Sequence, residues 1–129
     1  MKTIGYAAQS EGADLTPYHF ERRNLRPNDV AIEILFCGVC HSDLHTLRGD
    51  WGEQPYPLVP GHEIVGRVTE VGKDVTGFKV GEHAAVGCMV DSCQDCDQCH
   101  KGEEQFCRNG MTPTYGAPDR IDGEITQGG

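Results

Sequence analysis

Residues 88–107 read CMVDSCQDCDQCHKGEEQFC, and this stretch decides how its part of the chain folds. Aspartate, glutamine, glutamate and cysteine dominate it, so it carries too little apolar surface to fold by burial alone. Its cysteines include a C-x2-C-x2-C-x7-C run, in which tight loops can turn four thiolates inward to share one tetrahedral ion. The ligands of this predicted metal-held lobe, which covers about residues 88–110, are Cys93, Cys96, Cys99 and Cys107.

Zinc is the metal that this spacing favours. Ferredoxin-type runs also begin C-x2-C-x2-C, but their fourth cysteine comes after three residues and precedes a proline. Here the gap is seven residues and Arg108 follows. Four thiolates close the coordination shell, so we expect a structural zinc whose binding free energy replaces the missing core. The alternative of free surface thiols leaves the regular spacing without an explanation.

Composition restricts the rest of the chain. Its 129 residues suffice for one compact domain, and without a signal peptide its seven cysteines favour metal ligands over disulfides. The formal net charge of -9 repels nucleic acid and anionic lipid surfaces. No window approaches the apolar length of a membrane span. We therefore expect a cytoplasmic protein that binds neither nucleic acid nor membrane.

Alternation of apolar and polar residues predicts short, half-buried strands. The strands expected on this basis cover residues 3–8, 30–37, 64–71 and 84–86. Residues 41–48 can form two helical turns closed by Gly49. The tail from Asn109 to Gly129 is rich in glycine and proline, has no periodicity and suggests no closing element. Short strands with one small helix favour a mainly β fold, an antiparallel β-barrel with a protruding lobe.

A second set of possible metal ligands lies in two loops between predicted strands. Cys40 follows one strand, while His62 and Glu63 precede the next. A thiolate and an imidazole are good zinc ligands, and a neighbouring carboxylate can supply an oxygen. Only two or three ligands are visible here. Catalytic zinc sites keep three protein ligands and one open position, so this incomplete set is typical of a catalytic site.

Two side chains of the predicted helix suit proton transfer. Ser42 and His45 stand three residues apart on one helix face, with the hydroxyl near Cys40 and the imidazole reaching outward. Such a pair can act as a proton relay. Each residue also has a simpler interpretation, with Ser42 or Asp43 as an N-cap, His45 on the surface and Glu63 as an ordinary surface carboxylate.

The remaining cysteines, histidines and the single tryptophan have several interpretations. Cys37 and Cys40 spell C-G-V-C, which is also typical of a redox pair, although no βαβ pattern surrounds it. Cys37 and Cys88 are otherwise expected to be buried as small hydrophobic residues. Trp51 is expected in the core or in the wall of a pocket above the site. Surface positions are expected for His19, His83 and His100.

Five segments together resemble the zinc-dependent medium-chain alcohol dehydrogenases. They are GVCHSDLH (38–45), PLVPGHEIVGRV (57–68), FKVGEH (78–83), VGCMVDSCQDCDQC (86–99) and EQFC (104–107). Within that family, the chain is most similar to the cinnamyl-alcohol-dehydrogenase-like branch, which includes bacterial broad-range aldehyde reductases. The resemblance implies a GroES-like β-barrel catalytic domain, and reversible conversion of a small alcohol to an aldehyde with NADP(H).

The resemblance also implies which residues bind the metals. One zinc is structural and held in the lobe, and the other is catalytic. Cys40 and His62 look like ligands of the catalytic zinc, and Glu63 looks like the neighbouring carboxylate that approaches the metal during turnover. Asp43 looks like the partner that orients His62.

Four further roles follow from the same likeness. Ser42 and His45 look like the hydroxyl and imidazole that carry the alcohol proton to solvent. His41 falls where the family contacts the pyrophosphate of the cofactor, and Trp51 falls in a region that lines the substrate pocket. The intact enzyme is expected to be a homo-oligomer.

The family pattern implies parts that these 129 residues do not carry. A third catalytic ligand, another cysteine, is expected beyond Gly129. No two glycines are separated by a single residue, as the start of a G-x-G-x-x-G nucleotide fingerprint requires, so that fingerprint is excluded. We therefore expect residues 1–129 to be a truncated N-terminal catalytic domain without the Rossmann domain, inactive in isolation. The competing hypothesis is a standalone, zinc-stabilised GroES-like binding module without catalysis.

Overall fold

The computed structural model describes residues 1–126 of the chain, and most of their regular structure is β. The strands are β1 (Lys2–Ala7), β2 (Thr16–Glu21), β3 (Val30–Gly38), β4 (Glu63–Val71), β5 (His83–Val86), β6 (Met89–Asp91) and β7 (Thr112–Pro113). One helix, α1, spans His41–Leu47, and two short 3₁₀ turns span Cys99–Lys101 and Glu104–Phe106. None of the helices in the described part of the chain is long and apolar enough to cross a membrane.

The strands pair in three antiparallel sheets. β1 pairs with β2, β4 lies between β3 and β5, and β6 pairs with β7. In the central sheet, the end of β3 at Gly38 lies opposite the start of β4 at Glu63. The loop that leaves β3 and the loop that enters β4 therefore meet at the same edge of the sheet. Cys40 and His62 lie in these two loops.

The alternation of buried and exposed residues along β4 fixes its register. Ile64 and Val68 are only 3% and 1% exposed, whereas Val65 and Arg67 face outward. Burying one such aliphatic side chain contributes about 1.5–3 kcal/mol to stability. A slip of one residue would turn both Ile64 and Val68 to solvent, so the alternation also determines where His62 lies at the strand entrance.

A small apolar cluster supports α1. It consists of Ala8, Leu47, Leu58 and Tyr115, all buried, with Ala13 and Tyr56 packed against it. Ala8 and Leu58 exchange backbone hydrogen bonds of 3.0 and 2.9 Å, and Leu47 comes from the last turn of α1. The helix is therefore anchored at its C-terminal end, while its N-terminal end lies beside the loop that carries His62.

Most of the predicted elements are confirmed. β1, β3, β4 and β5 match the predicted strands to within one residue at either end, and α1 matches the predicted helix equally closely. β2 is not among the predicted strands; its sequence, TPYHFE, contains Pro17, and proline argues against a strand interior. At this position the strand pairs only with β1, so the missing N–H of proline is tolerated.

The burial predicted for β3 is wrong. Ile34, Leu35 and Phe36 are 42%, 41% and 74% exposed, and the strand shows no buried face beyond its first half. The register of β3 against β4 shifts between Ile34 and Phe36, which breaks the alternation, and the described residues leave this half of the strand largely uncovered. Cys37, on this exposed half, and Cys88, in the connection between β5 and β6, are also exposed and not buried as predicted.

The tail over residues 109–126 is mostly turns and bends, as its lack of periodicity suggests, but long-range pairing ties it to the rest of the chain. Thr112 and Pro113 form β7, Pro118 pairs with Ile125 in an isolated bridge, and the Gly116 amide donates to Thr126 O at 2.9 Å. Arg26 also pairs with Asp119 at 2.9 Å. Long-range pairing of this kind has no signature in the local pattern. The last part of the predicted tail, residues 127–129, lies outside the described residues.

Candidate metal centres

Four cysteine sulfurs meet in the lobe that follows β6. The Sγ atoms of Cys93, Cys96, Cys99 and Cys107 all lie within 4.8 Å of one another. Cys99 Sγ is 3.8 Å from Cys93 Sγ and 3.5 Å from Cys96 Sγ. Sulfurs at 2.3 Å from a tetrahedral zinc ion would lie about 3.8 Å apart. The donor set and its spacing therefore fit a zinc ion with four thiolate ligands, and all these cysteines are free thiols.

Backbone amides donate hydrogen bonds to the sulfurs of Cys93, Cys96 and Cys107. The Cys96 amide donates to Cys93 Sγ at 3.3 Å, and the Cys93 amide donates to Cys107 Sγ at 3.4 Å. The Arg108 amide donates to Cys96 Sγ at 3.5 Å. Donors of this kind favour the thiolate over the thiol, and thiolate is the form that binds metal.

The sulfurs of the lobe differ in acidity. Hydrogen bonds from the Asp95 backbone and then from Asn109 lower the pKa of Cys93 to about 6. At Cys99 the hydrogen bond with Ser92 is outweighed by burial and the neighbouring thiols, which raise its pKa to about 11. A metal ion that binds all four sulfurs would therefore have to displace the proton of Cys99.

A second cluster, which we call the open cluster, consists of Cys40, His62 and Glu63. One ligand atom from each lies within 4.8 Å of the others. His62 is only 9% exposed, whereas Glu63 is exposed. A thiolate, an imidazole and a carboxylate match the ligand types of zinc, and three protein ligands leave a coordination position for another molecule. The structure therefore brings together the three residues that the sequence proposed as one site.

Asp43 joins the two loops of the open cluster. Its Oδ2 accepts from the Cys40 amide at 2.8 Å, and its Oδ1 accepts from the Gly61 amide at 3.2 Å. The side chain is 5% exposed. Asp43 therefore holds the backbone next to His62, and the prediction that it orients the imidazole itself stays a prediction.

Two glycines make room for the open cluster. A Cβ on Gly38 would come within 2.4 Å of Glu63 Oε2, so the missing side chain is what lets the carboxylate fold back beside the strand end. Gly61 has φ of +114° and a Cβ there would lie 2.7 Å from Cys37 Sγ, so both its backbone conformation and its surroundings require glycine.

The Cys40 sulfur lies in a polar environment. Its Sγ is 3.4 Å from Ser42 Oγ. Hydrogen bonds with the Ser42 hydroxyl and backbone, followed by one with His62, lower the pKa of the Cys40 thiol. The metal-binding form of Cys40 is therefore favoured before any ion binds.

His45 has a partner that the sequence reasoning missed. Its Nδ1 lies 2.8 Å from Asp50 Oδ2, and its ring stacks on Trp51 with centroids 5.1 Å apart. The ring of His41, an exposed residue, lies 5.7 Å from that of His45. A signal was available, because Asp50 comes directly after Gly49, where the chain turns back past the helix end. Trp51 is 64% exposed, so its placement in the core is wrong.

Tyr115 is the second missed residue. Its hydroxyl donates to Asp43 Oδ1 at 2.7 Å, and its ring stacks on that of His62 with centroids 5.4 Å apart. Burial and then the hydrogen bond to Asp43 raise the pKa of Tyr115, so the phenol stays a donor. No local pattern could indicate this contact, because the two residues are 72 positions apart in the chain.

The other predicted positions are found at the surface. His19, His83 and His100 are exposed, as expected. Cys37 is exposed and its Sγ lies 3.7 Å from Gly38 O, while Cys40 Sγ belongs to the open cluster. The geometry thus groups Cys40 with His62 and Glu63, which favours the metal interpretation of C-G-V-C over the redox pair.

Comparisons with known proteins agree with this geometry. Residues 26–127 match the family model described as "Alcohol dehydrogenase GroES-like domain". The chain is 53% identical over 131 residues to NADP-dependent alcohol dehydrogenase C 1 of Mycolicibacterium smegmatis, covering 100% of this chain and 37% of that protein. It is 51% identical over 129 residues to a probable cinnamyl alcohol dehydrogenase 3 of Oryza sativa, covering 100% of this chain and 35% of that protein.

A solved structure gives the same result. CAD from Helicobacter pylori, complexed with NADP(H), superposes with a TM-score of 0.95 at 43% identity, over 99% of this chain and 37% of that one. The chain thus spans about a third of the length of the relatives it matches. The mainly β, GroES-like fold class expected from the sequence is confirmed.

Proposed function

The chain belongs to the alcohol dehydrogenase GroES-like domain family, and on that premise we propose that it is the zinc-binding catalytic part of an alcohol dehydrogenase. The reaction is the reversible oxidation of a small alcohol to an aldehyde with NADP(H), as the names of the rice and mycobacterial relatives suggest. The observation that carries this proposal is the open cluster, in which Cys40, His62 and Glu63 converge beside Ser42.

The two clusters have different roles in this proposal. The four-cysteine lobe holds a structural zinc, because its ligands fill a tetrahedral shell. Cys40 and His62, with Glu63 beside them, would hold the catalytic zinc together with the further cysteine expected outside these residues. When bound, the zinc would polarise the oxygen of the alcohol or aldehyde as a Lewis acid. Asp43 and the two glycines keep the ligand-bearing loops in place.

The proton of the alcohol leaves through α1. Ser42 Oγ, next to Cys40 Sγ, receives it and passes it towards His45. Asp50 accepts a hydrogen bond from His45 Nδ1, so Nε2 remains free to take the proton. The His45 side chain is 40% exposed, and the proton can therefore go on to solvent. In the reverse direction the same residues deliver it.

Cofactor binding needs more than these residues. His41 is exposed on the same face as His45 and is proposed to contact the cofactor pyrophosphate. The sequence has no G-x-G-x-x-G, and the relatives extend well beyond the matched region. We therefore assign nicotinamide binding to a part of the enzyme that lies outside these 129 residues, and expect the isolated chain to oxidise no alcohol.

Metal content tests the two sites. We expect the 129-residue chain to keep one zinc, that of the lobe, after a chelator treatment that removes the zinc of the open cluster. An exposed carboxylate and an open coordination position make zinc binding at the open cluster weak. Cys40→Ser should remove only the weak metal. Two chelator-resistant zincs per chain, or a Cys40→Ser variant with unchanged metal binding, would contradict the assignment.

A hybrid enzyme tests the reaction. In it, residues 1–129 replace the matched region of the 53%-identical mycobacterial alcohol dehydrogenase. We expect alcohol-dependent reduction of NADP⁺ by the hybrid, and loss of that activity with Cys40→Ser. A folded, zinc-loaded hybrid without activity would favour the competing hypothesis of a zinc-stabilised binding module.

A further inference from the structure

Tyr115 contacts two parts of the open cluster at once. Its ring lies against the His62 imidazole, with centroids 5.4 Å apart and planes inclined by only 16°. Its hydroxyl donates to Asp43 Oδ1 at 2.7 Å. The residue is 7% exposed and belongs to the apolar cluster beneath α1. It therefore touches a metal ligand through its ring and the residue that joins the ligand loops through its hydroxyl.

The hydroxyl contact matters because Asp43 Oδ1 is shared. The same oxygen accepts from the Gly61 amide at 3.2 Å, and the other oxygen accepts from the Cys40 amide at 2.8 Å. A donor at 2.7 Å fixes the rotation of the buried carboxylate, and with it the spacing of the two ligand loops. Without the phenol, the carboxylate would keep its two amide hydrogen bonds, but Oδ1 would lose its shorter partner and hold the Gly61 loop less firmly.

The strands that border the cysteine lobe hold Tyr115 in position. The Thr114 amide donates to Cys88 O at 3.2 Å, and the Thr114 hydroxyl bonds to Gly87 O. Thr112, in β7, pairs with Asp91 at the end of β6. β6 leads into Cys93 and β7 follows Cys107, so the backbone that closes the lobe also places Tyr115 against the other cluster.

We propose that Tyr115 is a positioning residue of the open cluster: its ring fixes the plane of the His62 imidazole, and its hydroxyl fixes Asp43. The proposal rests on the proposed function only in taking Cys40, His62 and Glu63 as a zinc site. Residues that orient metal ligands typically change metal affinity by about 10–100-fold when they are replaced. The effect should be confined to the open cluster, because the ring and the hydroxyl touch no ligand of the lobe among the contacts of the described residues.

The test uses the 129-residue chain, Co²⁺ as a probe and three variants. Tyr115→Phe keeps the ring and removes the hydroxyl, while Tyr115→Leu removes both. Tyr56→Phe is the matched control, since Tyr56 packs on the same apolar cluster and its hydroxyl bonds to Leu47 O at 3.1 Å, away from the metal ligands. The four-sulfur Co²⁺ site has its own absorption bands, which report in each sample that the lobe is folded and loaded.

We expect Tyr115→Phe to weaken Co²⁺ binding at the open cluster about tenfold, and Tyr115→Leu to weaken it further and shift its visible bands. Tyr56→Phe should match the wild-type chain, and the lobe bands should be unchanged in all three variants. Equal affinity of Tyr115→Phe and Tyr56→Phe would overturn the proposal. Equal weakening of both clusters by Tyr115→Phe would also overturn it, because that result indicates a general structural role. A wild-type chain that binds Co²⁺ only in the lobe would instead refute the proposed zinc site.

Discussion

The four-cysteine lobe and the open cluster obtain their geometry in different ways. The lobe takes its four sulfurs from residues 93–107, and short loops with local backbone hydrogen bonds suffice to converge them. The open cluster takes its ligands from positions 40, 62 and 63, and depends on Asp43 and Tyr115 to hold two loops together. A structural site can thus be encoded locally, whereas a site with an open position is built by the packing around it.

Among the proposed variants, removal of one sulfur from the lobe should have the largest effect. Cys96→Ser leaves three thiolates, and the apparent binding free energy of a structural zinc, about 10–16 kcal/mol, is also the folding free energy of the segment. We expect loss of the chelator-resistant zinc and rapid amide exchange over residues 88–110. Zinc analysis and hydrogen exchange measure the two effects.

His100→Asn is the control for this variant, because His100 is exposed and follows Cys99 directly but is not among the four ligands. It should keep the zinc. Retention of tight zinc by Cys96→Ser would remove Cys96 from the ligand set.

The next effect concerns the chemistry of the open cluster. In the hybrid enzyme, Ser42→Ala should reduce turnover by about 100-fold, the lower range for general acid–base catalysis, with unchanged zinc content. The reason is that the variant removes a proton path and no ligand. His45→Gln should be milder, since His45 is partly exposed and water can replace it. Steady-state kinetics with wild-type turnover for Ser42→Ala would exclude Ser42 from the relay.

A smaller effect is expected where only one ligand of the open cluster moves. Gly38→Ala places a Cβ where Glu63 Oε2 lies, and the flexible carboxylate must shift away. We expect Co²⁺ affinity at the open cluster to fall by severalfold to about tenfold, with the lobe unchanged. Gly77→Ala is the control, because a Cβ on Gly77 meets no atom within 4 Å. Identical Co²⁺ titrations of the two variants would mean that Glu63 does not contribute to binding.

The smallest effect should come from an ion pair remote from both clusters. The hydrogen bond from Arg23, followed by that from the Arg26 amide, lowers the pKa of Asp29 below its usual value. Because the pKa of Asp29 is lower in the folded state, the ionised carboxylate stabilises the fold at pH values above its unfolded-state pKa of about 3.9. This contribution disappears as the pH falls through the folded-state pKa.

Asp29→Asn should therefore lower the free energy of unfolding by about 0.5 kcal/mol near neutral pH, which is typical of partly exposed ion pairs. Urea unfolding at a series of pH values should show the difference from wild type shrinking below about pH 4. Both metal contents should be unchanged at pH 7. A difference that grew on acidification would have the wrong sign for this ion pair.

Much of the fold could be read from local patterns. The alternation around Ile64 and Val68 predicted β4 within one residue, and Gly49 marked the end of α1. The local pattern failed where burial depends on what packs against an element. The sequence of β3 alternates as that of a half-buried strand does, yet Phe36 is 74% exposed, because its register shifts and the described residues leave that half of the strand largely uncovered.

The two candidate sites differ in the same way, in how far the local sequence predicts them. Cysteine spacing by itself predicted that the four sulfurs of the lobe converge, because Cys93, Cys96 and Cys99 are each separated by only two residues and are neighbours in space whatever the rest of the chain does. The residue types at positions 40, 62 and 63 suggested a second metal site, and only the tertiary structure decided that their ligand atoms converge. The partners that support this site, Asp50 for His45 and Tyr115 for His62, were also decided by tertiary structure. Tyr115 contacts Asp43 although the two residues are 72 positions apart, and a contact between such distant parts of the chain leaves no periodicity in the sequence.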